Sequence, residues 1–318
     1  MTEIRTLRPA LEGLAKAGIF LGTSSWKYPG WIGQLYEPDR YLYRNRIAKS
    51  RFEKQCLSEY AEVFSSVCLD SSFYRFPDQQ YLQGITEQVP AGFRFSHKVT
   101  DTITIKNFPK HRRHGDLAGK VNPCYLDHNI FLKSFLKPLV PYRDRTGIIM
   151  FEFSRFYKRD YDRGRDFVRD LDTFLSQLPT REWDFGVEIR NAALLGEAYF
   201  DMLAKHGVGH VYNQWQRMPP LEHQLKLRPP DRNTAPVGSR LLLRCGHGYA
   251  RAVESFSPYD RVREPQTATR DAAAGLLRRL RQQPRGRRGY LYVNNRLEGN
   301  ALATIEAILQ LLEVEPPE

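Results

Sequence analysis

The sequence predicts an α/β fold, a single (β/α)8 TIM-type barrel over residues 1–318 with residues 1–18 as an N-terminal extension and long loops at the C-terminal face. Three observations predict it. Short apolar, β-prone runs alternate with longer amphipathic segments along the whole chain. Eight such runs occur, the number that closes a barrel of roughly 250 residues. The longest irregular stretches, 27–50, 100–127, 214–239 and 246–267, all follow strands and so gather at the strands' C-terminal ends, where barrel enzymes keep their sites.

Taken in order, residues 1–18 mix Glu3, Arg5, Arg8, Glu12 and Lys16 and lack the apolar stretch of an export signal, so a soluble, cytoplasmic protein is expected. Strand one is expected at 19–25. The helix after it, 51–64, carries an apolar stripe of Phe52, Cys56, Tyr60 and Phe64 at helical spacing. Strands then fall at 65–70, 93–99, 147–153, 185–190, 208–212, 240–245 and 290–294. Helices are expected at 129–139, 162–177, 198–206, 271–283 and 301–312.

Composition supports a large folded core: 41% of the 318 residues are hydrophobic and 12% aromatic, while the 22 Gly and 20 Pro are scattered, which excludes disordered and collagen-like chains. No run of 18 apolar residues exists, so no membrane partner is expected. Cys56, Cys68, Cys124 and Cys245 lack Cys-x-x-Cys spacing and read as reduced thiols. The 48 Lys and Arg exceed the 36 Asp and Glu by 12.

Alternation within the strands sorts side chains onto two faces. One face carries Leu21, Val67, Leu69, Phe93, Phe95, Ile149, Phe151, Phe153, Val187, Ile189, Val211, Leu241, Leu243, Leu291 and Val293, which should meet the helices. The other carries Ser24, Trp26, Asp70, Ser72, Ser96, Lys98, Glu152, Glu188, Arg190, Tyr212, Arg244 and Asn294, which should converge at the strand tops. Charges flanked by buried apolar neighbours must be paired, solvated in a pocket or bound to a ligand.

Leu21-Gly22-Thr23-Ser24-Ser25-Trp26-Lys27-Tyr28 with Trp31, Tyr60 to Phe64 leading into Val67 to Tyr74 with Pro77, Phe93 to Lys98, Val187-Glu188-Ile189-Arg190, and Asn294-Asn295 with Gly299 and Ala301 follow one another along the chain. Together these segments resemble the YecE-like family, known as domain of unknown function seventy-two. The resemblance implies a TIM-type barrel and brings no activity with it. The chain departs from the family pattern at Cys68, Asp70, Ile105, Glu152 and Asn191, and the His-Gly pair after Arg244 is displaced by one residue.

Among the inward residues, Asp70, Glu152 and Glu188 stand against Lys98, Arg190 and Arg244. The blander reading is a mutually paired structural network. The functional reading is a hydrolase or lyase: the cations hold a small anionic, phosphate- or carboxylate-bearing ligand, and Glu188, with Asp70 and Glu152, supplies acid/base catalysis. Trp26, Tyr28 and Tyr74 would form an aromatic wall, with Phe73 read as packing, and Asn294 would bind ligand or close a turn.

Other chemistries fit less well. Arg244 stands where many barrel glycosidases place their second carboxylate. His210 shares the parity of Tyr212, His97 has helix-facing parity, and His111, His114 and His128 lie in a basic loop, so no histidine metal set assembles. The cofactor is left unknown, and a divalent ion on Asp70, Glu152 and Glu188 is not favoured. No Gly-rich phosphate loop, Gly-x-Ser-x-Gly elbow or dinucleotide fingerprint is present, and Schiff-base chemistry through Lys98 ranks low. The alternative from another class is a non-catalytic basic module contacting nucleic acid. It would use Arg278, Arg279, Arg281, Arg285, Arg287 and Arg288 near the strand bottoms, or Lys106, Lys110, Arg112, Arg113 and Lys120 over the tops.

Overall fold

The computed structural model describes residues 3–44, 46–230, 234–283 and 286–313. Eight parallel strands close into a barrel: β1 (Ile19–Thr23), β2 (Ser66–Leu69), β3 (Arg94–Lys98), β4 (Thr146–Phe153), β5 (Phe185–Ile189), β6 (Gly209–Gln214), β7 (Val237–Leu241) and β8 (Gly289–Val293). Each strand pairs with the next, and β8 returns to β1 with Ile19 to Thr23 in register against Gly289 to Val293. This is the (β/α)8 barrel the sequence predicts.

The seam between β1 and β2 has a single registered pair, Thr23 with Val67. Gly22 permits the close approach there, since a Cβ would stand 2.1 Å from the Ser66 carbonyl oxygen. The Tyr60 hydroxyl closes the seam, donating to the Ser66 carbonyl at 2.9 Å and accepting from the Thr23 amide at 3.1 Å.

Helices coat the outside because their apolar stripes match the outward face of the strands. Gly164–Leu175 shows how: Phe167, Leu171, Phe174 and Leu175 recur at helical spacing and are all buried. They join Phe151, Phe153, Val187 and Ile189 in one core. The helix expected at 129–139 is a π-helical turn, Phe131–Leu136, leading into a 3-10 run, Lys137–Arg145. Pro138 and Pro141 lack the amides that would extend an α-helix.

A second, smaller core fills the barrel: Phe20, Cys68, Ile148, Met150, Val211, Tyr290 and Tyr292. Two strands depart from expectation, β6 in its faces and β7 in its start. In β6, Val211 points inward, while Tyr212 turns to the helix side, edge-on to His210 at 4.8 Å, and donates its hydroxyl to the Arg228 carbonyl. The crowded interior beside Ile148 admits a valine, whereas a tyrosine needs room and a partner for its hydroxyl. His210 likewise packs outward on Tyr199 and Phe200. In β7 the strand starts at Val237, three residues before the expected 240, and Leu242 and Leu243 pack beyond it with Ala252 and Phe256.

The N-terminal helix Arg8–Lys16 lies against the barrel, with Ala15 on the interior cluster. Among the described residues, no helix is long and apolar enough to cross a membrane.

Candidate functional site

Strand alternation carries six charged side chains into one cluster at the C-terminal ends of the strands. Lys98 ends β3, Glu152 lies in β4, Glu188 in β5, Arg240 in β7, and Asp70 and Arg190 directly follow β2 and β5. Glu152 is contacted at Oε2 by Lys98 Nζ, by Arg190 Nη2 at 2.9 Å and by Arg240 Nη1 at 3.7 Å. Glu188 accepts from Arg190 Nε at 3.3 Å on one oxygen and from Arg240 Nη1 at 2.8 Å on the other. Arg240 Nη2 completes the chain, donating to Asp70 Oδ1 at 2.7 Å. Three cations and three carboxylates are thus bonded into one network.

Its surroundings keep it dry below and open above. The Tyr292 hydroxyl bridges Ser66 and Ser96, each at 2.6 Å, inside the barrel. Ser72 Oγ donates to the Lys98 carbonyl at 2.8 Å, and the Phe73 ring lies 3.5 Å from Lys98 Nζ. The Trp215 ring covers Arg190 at 4.0 Å. Glu152 and Glu188 side chains are 1% and 0% exposed, whereas Asp70 is 37% exposed.

Burial pushes the Glu152 carboxyl up, but the combined fields of Arg190, Lys98 and Arg240 outweigh it and hold the group down at about 2. Glu152 is therefore a fixed anion at neutral pH. Burial also opposes the charge on Arg240, yet Glu188 and Asp70 drive its pKa well above the ordinary value. Burial, helped by Asp70 and Glu188, raises the neighbouring Cys68 thiol to about 12 against the pull of Arg240 and Lys98, so it stays protonated.

Of the residues singled out in the sequence, Asp70, Lys98, Glu152, Glu188 and Arg190 come together. Arg244 does not: it lies past the end of β7 and pairs with Glu264 at 3.1 Å. Arg240 takes its place. Both arginines share one parity, so the sequence signal for Arg240 was present and the strand boundary decided between them.

Trp26 is buried with its carbonyl accepting from the Tyr36 hydroxyl, and its Nε1 has no partner among the described residues. Tyr28 packs on Trp31 at 4.8 Å and edge-on to Tyr259 at 5.6 Å. Tyr74, 66% exposed, lies edge-on to Phe73 at 5.3 Å with the Arg113 guanidinium 5.1 Å from its ring. Asn294 closes a turn, its Oδ1 accepting from the Arg296 amide at 3.0 Å. Trp215 and Arg296 were missed because both lie in loops, where no periodicity assigns a face.

A metal fits the cluster poorly, since each of the three carboxylates already faces a cation. No group of His, Cys, Asp and Glu among the described residues is arranged to hold one. The Arg-rich segment near the strand bottoms is largely engaged internally. Arg278 reaches the Leu311 carbonyl, Arg287 donates to the Ala235 carbonyl at 2.8 Å, and Arg288 pairs with Asp184. Arg285 lies outside the described residues.

Residues 20–318 match the family model described as protein of unknown function DUF72. Solved structures of a DUF72 family protein from Enterococcus faecalis are similar, with TM-scores of 0.61 and 0.60 at 15% and 16% identity. They cover 94% and 93% of this chain and 97% and 98% of their own. A DUF72 family protein from Thermotoga maritima has a TM-score of 0.57 at 18% identity, covering 92% of this chain and 97% of its own. Comparison with curated proteins finds no match.

Proposed function

The chain belongs to the DUF72 family, and from that premise we propose that it takes a small phosphate- or carboxylate-bearing ligand over the strand C-termini and acts on it as a hydrolase or lyase by acid/base catalysis. One observation carries the reading: Asp70 is the single carboxylate of the six-residue cluster that reaches solvent. Arg240 fixes its Oδ1, and its Oδ2 accepts no hydrogen bond among the described residues. An oriented oxygen open to the mouth is what a general base requires.

Glu188, the acid/base candidate of the sequence, has a guanidinium on each oxygen and no exposed surface, so we assign it with Glu152 to holding Arg190, Arg240 and Lys98 in position. The anion would then be held by Arg296. Its guanidinium lies 4.7 Å over the Tyr249 ring, and its Nε is buried without a partner among the described residues. Arg296 and Asp70 border the same phenol: burial raises the pKa of Tyr28, Arg296 lowers it and Asp70 raises it. A planar guanidinium suits bidentate contact with phosphate or carboxylate.

The test begins with a thermal-shift screen of phosphate esters, sugar acids and nucleotides, because a ligand bound only by the folded state raises its melting temperature. With a hit in hand, Asp70→Asn should abolish turnover and retain binding, and Arg296→Ala should raise KM. Unchanged turnover in Asp70→Asn overturns the assignment. Nucleic-acid binding at the Arg-rich segment is the weaker reading, given the internal contacts of Arg278, Arg287 and Arg288.

A further inference from the structure

We infer that the cleft between the loops following β3 and β4 is a second ligand site, built for a phosphate monoester with a flat or apolar body of about nucleoside-monophosphate size. Its volume is about 780 Å³, within the roughly 300–1,000 Å³ typical of small-molecule sites. This inference does not rest on the catalytic reading of the barrel mouth. Ile105 packs with Phe73 and Phe108 as a wall between the two spaces.

Charge supplies the first argument. Lys106, Lys110, Arg155, Lys158 and Arg159 line the cleft against one carboxylate, Asp160. That carboxylate is committed to structure. Its Oδ1 accepts from Asn107 Nδ2 and its Oδ2 from the Tyr157 amide, both at 2.7 Å, which ties the two loops together. Lys106 turns toward the Tyr161 ring, 3.5 Å away, and Asp170, 4.0 Å away, while Arg159 lies 4.0 Å from Asp160. Lys110, Arg155 and Lys158 are exposed and form no ion pair among the described residues. Several unpaired cations around one concavity favour a doubly charged group over a single carboxylate.

The apolar lining supplies the second. Ile105, Pro109, Phe156 and Tyr157 face the same space, and Tyr157 is 56% exposed with the Arg155 and Arg159 guanidinium groups 5.3 and 5.7 Å from its ring. An aromatic face beside cations accommodates a planar body joined to a phosphate. A bare inorganic anion would leave that lining unused.

Preorganisation supplies the third, since ordering costs are met by the fold before the ligand arrives. Asn122 Nδ2 donates to the carbonyls of Thr102 and Ile105 at 2.8 and 2.7 Å, which fixes one wall. Asn191 fixes the other from β5's end: its Oδ1 accepts from the Phe156 amide at 2.8 Å, and its Nδ2 donates to the Phe156 carbonyl at 3.1 Å. Ser154, also in the lining, donates to Glu152 Oε1 at 3.2 Å, so the cleft adjoins the charged network through one hydroxyl.

Calorimetric titration of the full chain at low salt with adenosine monophosphate tests the site. Saturable one-to-one binding is expected, reduced about tenfold or more in Lys110→Glu/Lys158→Glu and changed less than about twofold in Arg281→Glu on the outer helix. Tyr157→Ala should weaken adenosine monophosphate while leaving inorganic phosphate unchanged. Wild-type melting temperatures would show that each variant is folded. Absence of saturable binding overturns the inference, as does equal affinity in the Lys110/Lys158 variant or equal affinity for inorganic phosphate. It also fails if a single-stranded oligonucleotide binds with affinity rising with length while adenosine monophosphate does not, which would make the cleft part of a nucleic-acid track.

Discussion

At the barrel mouth three cations meet three carboxylates, and every one of the six has an opposite charge within bonding distance. One wall away, in the cleft, five cations line the space with one carboxylate, Asp160, already engaged by Asn107 and the Tyr157 amide. Of the five, Lys106 reaches Asp170 and Arg159 reaches Asp160, each at 4.0 Å. The two regions draw on the same residue types, yet they should respond to perturbation in opposite ways. Buried, mutually bonded charges are costly to separate and tell little about ligands. Exposed cations in excess contribute little to folding and remain available to an anion.

The largest effect should come from breaking the mouth. Glu188→Ala leaves two guanidinium groups facing an emptied position and should cost about 3–5 kcal/mol, measured by chemical denaturation. A loss below about 1 kcal/mol would mean the network is better solvated than its burial indicates.

Acid should act next, and again at the mouth. Glu152 is held at about 2, below the ordinary carboxylate value, so its stabilisation is complete above about 4.3 and fades as pH falls toward 2. Glu152→Gln should flatten that limb of the stability profile. A second decline should start earlier, because burial depresses His97 and His210 to about 3. They stay neutral in the fold while the unfolded chain takes up protons below about 6.5, so stability falls as pH drops through that value. His97→Phe should remove part of the slope between about 6.5 and 4.5, whereas the Lys110/Lys158 variant should leave the profile unchanged.

Salt separates the regions more finely. Added sodium chloride should lower adenosine monophosphate affinity several-fold while leaving the melting temperature nearly constant, since exposed charges are screened and buried pairs are not. Smallest of all, Lys110→Ala and Lys158→Ala should each shift folding stability by no more than about 0.5 kcal/mol. A larger loss would place those lysines in the architecture and take them away from a ligand.

Much of the mouth was legible in the chain because a strand's period of two fixes which face each side chain takes. Asp70, Lys98, Glu152, Glu188 and Arg190 meet as alternation indicated. The seventh strand shows where that logic stops. Arg240 and Arg244 have the same parity, and both precede or follow apolar leucines, so periodicity alone sends both inward. Register decides: Arg240 lies opposite Asn213 on β6 and Tyr292 on β8, while Arg244 is already beyond the sheet. In β6 the polar atoms of His210 and Tyr212 suggested an inward face, but their rings found space and partners only outside. The cleft was visible only as a basic loop, because its second wall lies roughly fifty residues further along and is joined to the first by Asp160.

By itself the sequence determined the barrel, the number of strands and the side on which nearly every strand residue lies, since these follow from local periodicity and from burying apolar stripes. The tertiary structure alone decided which charges are neutralised and which stay open. Pairing depends on distances between remote segments, as Asp70 and Arg240 show: they are 170 positions apart in the chain and 2.7 Å apart in the fold.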